Sequence, residues 1–574
     1  MVDVTVTIAG QAGQGIDTAS DLFAHALARA GYYICAYPDV MSRIRGGHNF
    51  TAVRISDRPL YGGSPRHNLL LALDEASVAA HRAEMVEGGI MVAETRPGTD
   101  GADGVVRVPL ASIAAEKGAP PAAANVVGLG VLLALAGHPL NAMLGLLKER
   151  FAAKGDKVVR QNVDCCRAGA EYVARHFSGS CPCALPALPG GKRRLTMTGS
   201  EALALGALAS DVRFYAGYPM SPATNIMEFL SMRQKEFGLV VEQAEDEVGA
   251  LNTVLGASYA GVRAMTATSG GGFSLMVEAL GLSGMAELPC VVVLAQRPGP
   301  ATGFPTRTEQ AELLLAISAS QDEFPRFVVA PGTAEAAFYA VNRAFEAAGR
   351  YQVPAIVLSD QLLSDSLWTV PELNLKRTTV SEDCVDNQWK DRPPMTYKRY
   401  ALSPDGVSPR LRPGKLPQAV RSMGAEHTED GFQTEDAGTR VAMQDKRMRK
   451  LVRMAAESDD LCCHPEDDAT CSVVCWGSTY GAVREAVDIL RAERLNVNMV
   501  HVDQLAPFPR ERVLARLGRA KRIVTVELNS TGQLARLITR ETRIAPDAEI
   551  LKCDGRPFFG SALAEDLRRA CEAK

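Results

Sequence analysis

The stretch Cys290–Gln296 reads CVVVLAQ, with its one polar residue at the end. A strand that is apolar on both faces must be covered on both faces, and a parallel sheet with helices packed on either side meets that condition. The same pattern recurs in RFYAGYPM, VRAMTATSG and AIVLSD. Helical stretches lie between or beside these strands: NTVLGASYA, FSLMVEALGL and AEAAFYAVNRAFEAA. Residues 195–365 are therefore expected to form an α/β domain built on a parallel sheet.

The chain has 574 residues. That exceeds what one hydrophobic core sustains, and three domains are expected. Residues 1–180 open with the alternating strand VTVTIAG, the Gly-rich turn GQAGQG and the helix TASDLFAHALARAG. Residues 181–194, CPCALPALPGGKRR, are rich in Pro and Gly and read as a linker. Residues 366–467 are polar, Pro-rich and basic. They read as a long ordered linker extended over the surface, with disorder as the alternative for so charged a composition. Residues 468–574 return to α/β alternation as a small third domain, with TCSVVCWGS, VNMVHVDQL and RIVTVEL as strands.

Composition excludes several functions. Hydrophobic residues make up 47% and charged residues 22%, the balance of a soluble globular protein. A net charge of −4 argues against nucleic-acid binding. No apolar run reaches membrane-spanning length, so no membrane association is expected. The N-terminus lacks the basic region of a signal peptide. The 13 cysteines are odd in number, contain no C-x-x-C and follow no disulfide-like spacing, which fits a reducing cytoplasm. The neighbours Cys165–Cys166 and Cys462–Cys463, the latter beside His464, read as small buried residues, and no metal ligands are expected on this chain.

Four carboxylates, Glu242, Glu245, Asp246 and Glu247, lead into GALNTVLGASYAG, which reads as fully buried. A carboxylate at the positive end of a helix dipole accounts for one acid there, not for four. In GYPMSPATN, residues 217–225, a strand ends and a helix begins near Ser221. Its hydroxyl and the backbone N–H groups suit either an anion or ordinary capping. In AQRPGPATGFPTRTEQ, residues 295–310, Arg297 directly follows a buried strand and heads a loop stiffened by prolines. A carboxylate ligand and a structural salt bridge both fit it. TSGGG, residues 268–272, is another strand-to-helix turn. GQAGQG has the spacing G-x-x-G-x-G, a weak sign of a nucleotide turn. RIRGGHN sets Arg45 and His48 across two glycines, as an anion-binding loop or a tight turn would.

Together and in this order, these stretches resemble the 2-oxoacid:ferredoxin oxidoreductases. YPMSP resembles the family's Y-P-[IV]-T-P, and EDEVGALNTVLGASYAG resembles its thiamine-diphosphate helix. QRPGPATGFPTRTEQ is similar to its Q-R-P-G-P-S-T-G-x-P-T-[KR]-T-E-Q. GQAGQG with SRIRGGHNFTAVRIS resembles the γ-type domain; PDGVSPRLRPG and MQDKRMRK resemble the linker of two-subunit members. The resemblance covers nearly the whole chain. It points to a large subunit with γ and α parts fused, of the 2-oxoglutarate type.

The resemblance implies a γ-type α/β domain over 1–180, a thiamine-diphosphate pyrimidine-binding domain over 195–365 and a transketolase C-terminal-like domain over 468–574. It implies oxidative decarboxylation of a 2-oxoacid to an acyl-coenzyme A, with electrons passed singly to ferredoxin. Pyruvate or branched-chain 2-oxoacids are alternative substrates, and a non-catalytic assembly subunit is an alternative role. Glu247 takes the place of the glutamate that hydrogen-bonds N1′ of the thiamine aminopyrimidine. Pro219, Thr268 and Ser269 are expected beside the cofactor. Ser221 takes the motif's threonine position, keeping the hydroxyl and losing the stiffening methyl, and is expected with Arg297 at the substrate's head. Thr306 is expected near the tail, and Arg45 and His48 are expected to read a distal carboxylate, with a subunit interface or coenzyme A as alternatives for Arg45. The chain lacks a cluster motif and a G-D-G…N run. The Mg2+–diphosphate site and a [4Fe-4S] cluster are therefore expected on a smaller β subunit, in an α2β2 assembly.

Overall fold

The structure, a computed structural model, describes residues 2–41, 46–95, 104–177, 181, 183–188, 190–466 and 469–572. It divides into two compact units. One is Met1–Met197 with Asp365–Glu372, and the other is Thr198–Ser364 with Leu373–Lys574. Each is described by itself.

The first unit is an eight-stranded mixed sheet. Its parallel half runs Val105–Val108, Met85–Glu94, His67–Ala72 and Asp3–Ala12. Its antiparallel half continues with Gly46–Ser56, Tyr33–Val40 and Leu367–Val370, and the strand Leu195–Thr198 closes the order. The strand, Gly-rich turn and helix form as read: Asp3–Ala12 passes through Gly15, at φ 79°, into the helix Ile16–Arg29. The helices Ala124–Leu135 and Asp156–His176 meet backbone to backbone at Gly130 and Gly169, where a Cβ on either glycine would collide with a carbonyl of the other helix. Cys165 and Cys166 are fully buried at that crossing, as small core residues.

Two segments depart from the domain boundaries expected from sequence. Leu195–Thr198 completes the first sheet, so the second unit opens at Thr198 instead of 195. Residues 365–372 return to the same sheet, although they read as the start of a surface linker. Hydropathy does not say which sheet a four-residue strand joins; backbone pairing decides that.

The second unit holds two sheets. The larger runs Gln504–Ala506, Phe327–Val329, Pro354–Asp360, Cys290–Gln296, Ala264–Thr268, Phe214–Gly217 and Val240–Gln243, and only its first pair is antiparallel. Cys290–Gln296 is buried at every residue, as the apolar run requires. The smaller sheet runs Cys462–His464, Val497–His501, Cys471–Cys475, Arg522–Glu527 and Ala548–Leu551. The two share one core: Val292, Leu294 and Ile356 of the larger sheet belong to the same apolar cluster as Val474, Trp476 and Val500.

Two further readings are corrected. Cys181 and Cys183 are joined by a disulfide, although the cysteines show no disulfide-like spacing in sequence. Cys462 is exposed, while Cys463 is buried. Among the described residues, no single helix is long and apolar enough to cross a membrane.

Candidate active site

Because the larger sheet of the second unit is parallel over six strands, the segments that follow Phe214–Gly217, Val240–Gln243, Ala264–Thr268, Cys290–Gln296 and Pro354–Asp360 all emerge at one edge. Ligands of open α/β sheets bind beyond such an edge. Ser221, Glu247, Ser269, Arg297 and Asp360 therefore arise together there, from stretches separated by up to 139 positions.

Glu247 is the first residue of the helix Glu247–Tyr259. Asp246 is its N-cap, accepting the Gly249 N–H at 2.6 Å. Glu242, Glu245 and Asp246 are exposed, whereas Glu247 is 4% exposed and its Oε1 is buried without a hydrogen-bond partner. An unpaired buried oxygen normally costs about 1–3 kcal/mol, so it implies a donor that binds there. Gly272, in TSGGG, lets Glu247 and Thr268 pack against the turn: a Cβ there would collide with the Thr268 hydroxyl and lie 2.6 Å from Glu247 Oε1. Ser269 Oγ is also buried and unpaired in the same turn. The helix is not fully buried, as its composition suggested. Val248, Gly249, Asn252, Thr253 and Gly256 form an exposed face of mostly small residues.

Arg297 leaves the strand Cys290–Gln296 and donates from Nη1 to the Ser221 carbonyl at 2.8 Å. The structure thus brings two expected head-group residues into direct contact. Burial lowers the Arg297 pKa, and the Glu312 carboxylate opposes that shift. Thr306 is half-buried on the same loop. Pro219 is half-buried, and Thr268 and Ser269 are fully buried. The loop's far end is fixed by Gln310, fully buried, which donates to the Trp476 carbonyl at 2.8 Å and accepts the Leu528 N–H at 3.1 Å.

Two acids here were not singled out from sequence. Glu312 lies two residues beyond the quoted motif, its N–H on Gln296 Oε1 at 3.0 Å. Its carboxylate crosses Gly270, where a Cβ would stand 2.5 Å from Oε1, and its Oε2 is buried and unpaired. Burial, with Glu309 adding and Arg297 opposing, pushes its pKa up to about 8. Asp360, 1% exposed, accepts the Leu363 N–H at 2.9 Å, and burial raises its pKa to about 6. Neither carries a local pattern; only the fold sets them beside Arg297 and the loop.

Of the residues expected at the tail, Arg45 lies outside the described residues. His48 belongs to the first unit, with Nε2 at 2.9 Å from His81 Nε2 and Nδ1 at 3.4 Å from Ser77 Oγ.

Family models match three segments: pyruvate ferredoxin/flavodoxin oxidoreductase at residues 5–172, pyruvate flavodoxin/ferredoxin oxidoreductase, thiamine diphosphate-binding, at 205–446, and pyruvate:ferredoxin oxidoreductase core domain II at 469–557. Subunit alpha of 2-oxoacid:ferredoxin oxidoreductase 2 from Aeropyrum pernix is 31% identical over 641 residues, spanning 100% of this chain and 98% of that protein. The chain belongs to the 2-oxoacid:ferredoxin oxidoreductase family. Within that family it is similar to the 2-oxoglutarate oxidoreductase subunit KorA of Mycobacterium tuberculosis, at 28% identity over 99% of this chain and 91% of the relative. A solved 2-oxoglutarate:ferredoxin oxidoreductase from Magnetococcus marinus, with 2-oxoglutarate, coenzyme A and succinyl-CoA bound, superposes with a TM-score of 0.93 at 31% identity, covering both chains fully. As a 2-oxoacid:ferredoxin oxidoreductase alpha subunit, the chain is mixed α/β with three family domains.

Proposed function

We propose that this chain is the large subunit of a coenzyme A-acylating 2-oxoglutarate:ferredoxin oxidoreductase, converting 2-oxoglutarate to succinyl-CoA and CO2. The buried, unpaired Glu247 Oε1 beside Gly272 carries the catalytic part of the reading. The names of the M. tuberculosis relative and the M. marinus structure support the choice of 2-oxoacid.

Glu247, Thr268, Ser269 and Pro219 fit the pyrimidine half of thiamine diphosphate. They offer one buried carboxylate oxygen that lacks a donor, beside a turn in which the Cβ position of Gly271 meets no atom within 4 Å. When bound, that cofactor supplies the electron sink for decarboxylation. Glu247 would hold a proton at the pyrimidine N1′, and its burial keeps that hydrogen bond strong. Arg297 would orient the substrate carboxylate, with the Ser221 hydroxyl beside it and Thr306 further along the loop.

The rest of the site would come from a smaller subunit holding Mg2+ and a [4Fe-4S] cluster, in an α2β2 complex that reduces ferredoxin in the cytoplasm. Exposed apolar side chains on the segments leaving the sheet edge, Tyr218, Val248, Leu275 and Phe304, support a covering partner.

The test is co-expression with the smaller subunit, purification of the complex and viologen reduction across 2-oxoacids with coenzyme A. Reduction fastest with 2-oxoglutarate is expected. Preference for pyruvate or a branched-chain acid would overturn the substrate assignment, and inactivity on every 2-oxoacid would overturn the reading as a whole.

A further inference from the structure

In the first unit, three histidines and a glutamate form a cluster that the proposed reaction does not use. His67 opens the strand His67–Ala72, His81 ends the helix Glu75–His81, and Glu84 ends the turn Arg82–Glu84. Two ring nitrogens converge on one carboxylate oxygen: His67 Nε2 lies 3.0 Å and His81 Nδ1 2.6 Å from Glu84 Oε2. All three atoms lie within 4.8 Å of one another. We propose that His67, His81 and Glu84 form a binding site for a divalent transition-metal ion of the zinc class, unconnected with the thiamine chemistry.

The donor set is the first argument. Two imidazoles and one carboxylate suit Zn2+ and its neighbours, and they leave a fourth position for water. Ligands about 2.0–2.1 Å from a tetrahedral ion stand about 3.3 Å apart, so small rotations of Glu84 and the two rings make room for the ion.

The second argument is what lies behind the ligands. A metal-bound imidazole normally donates its other ring N–H to a fixed acceptor, which sets its tautomer and orientation. His67 Nδ1 lies 2.7 Å from Thr7 Oγ1, and His81 Nε2 lies 2.9 Å from His48 Nε2. For His48 to accept at Nε2 it must be neutral and carry its proton on Nδ1. That nitrogen faces Ser77 Oγ at 3.4 Å, and Ser77 Oγ donates to Asp74 Oδ1 at 2.8 Å. Both candidate ligands are thus oriented from behind, with their other ring nitrogens on Glu84 Oε2.

The third argument is burial. The His67 and His81 side chains are 4% and 3% exposed, while Glu84 is 47% exposed. Phe50 closes one wall, its ring centroid 4.6 Å from that of His81 and edge-on to it. The rings are held dry while the carboxylate opens to solvent, giving the ion a path in and its fourth ligand a place. The site would tie a strand of the sheet to the helix and turn that follow it.

The test uses the full chain, stripped with a chelator and titrated with Co2+, followed by visible d–d absorption and by displacement with Zn2+. One equivalent per wild-type chain, with a rise in thermal midpoint, is expected. Glu84→Gln keeps the side chain's size at a half-open position and should lose that equivalent while remaining folded; His67→Asn should lose it as well. His48→Ala should retain the site with affinity weaker by about 10–100-fold, the usual effect of removing a partner behind a ligand. The cysteines are unchanged in every variant, so cobalt held by thiols cannot produce this pattern. Wild-type chain that takes up no stoichiometric Co2+, or folded Glu84→Gln that binds it as wild type does, would overturn the site and leave a hydrogen-bonded cluster.

Discussion

At the scale of single residues, the site depends on carboxylates in different electrical settings. Glu247→Gln keeps a hydrogen-bonding group in the pocket and removes its charge. In the reconstituted complex, turnover should fall by about 10²–10⁴-fold, the usual contribution of a positioned acid–base group, with the fold intact by circular dichroism. Wild-type rates would remove Glu247 from the reaction. Glu312 behaves differently because its pKa is raised, to about 8 against 4.5 for the free side chain. The folded protein keeps this proton at pH values where the unfolded chain has lost it. The contribution to stability therefore falls as pH rises from about 4.5 to about 8, and is constant on either side. On the proposed function, the charge that appears near pH 8 also competes with substrate for Arg297, so KM for the 2-oxoacid should climb through that pH. Glu312→Gln should flatten both profiles, and an unchanged KM profile would separate Glu312 from the substrate. Glu247 could be singled out in sequence because it stands in a motif and heads a helix. Glu312 could not, because its surroundings come from Gly270, Gln296 and Arg297.

At the scale of elements, the basic segment near the end of the linker behaves against its composition. MQDKRMRK reads as solvated, yet Lys446, Arg447 and Lys450 are each 0–1% exposed on the helix Ala437–Ala456. Lys446 and Lys450 both hold Glu287, itself fully buried, at 2.6 and 2.5 Å, and Arg399 donates to the Glu287 carbonyl at 2.8 Å. Glu287 ends the helix Val277–Ala286 in a left-handed conformation, φ 50°. Despite burial, the lysines hold its carboxyl well below the usual range, while burial lowers the Lys446 pKa to about 8. Glu287→Gln would leave two buried ammonium groups without their anion. It should cost about 3–5 kcal/mol, read as a lower denaturant midpoint, and expose the helix to limited proteolysis. A change under about 1 kcal/mol would show that solvent reaches these lysines, since exposed pairs contribute no more than that. Charge counting alone cannot find such a network. The lysines and their partner are about 160 positions apart, and only packing makes them neighbours.

At the scale of the whole molecule, the proposed function makes this chain the supplier of only part of an active site. Among the described residues, the one group of three or more metal-capable side chains is His67, His81 and Glu84, and it contains no cysteine. The purified single chain should therefore be colourless and inactive, gaining visible absorption and viologen reduction only with its smaller partner. A cluster spectrum from the chain alone, surviving chelation, would contradict this. The sequence by itself determined the fold class, since strands such as CVVVLAQ need cover on both faces and alternate with helices that can supply it. It also determined the family and the motifs at the sheet's edge, because each is local: a strand end, a stiff loop, the head of a helix. The tertiary structure decided everything that depends on distant partners. It placed Leu195–Thr198 and Leu367–Val370 in the first sheet, paired Lys446 and Lys450 with Glu287, left Glu247 Oε1 unpaired beside Gly272, and gathered His48, His67, His81 and Glu84 from 37 positions of chain. The physical reason is the range of the forces. Hydrophobic periodicity and turn chemistry act over a few residues and can be read along the chain. Desolvation, charge pairing and ligand convergence depend on distance in space, which is set only once the sheets have formed.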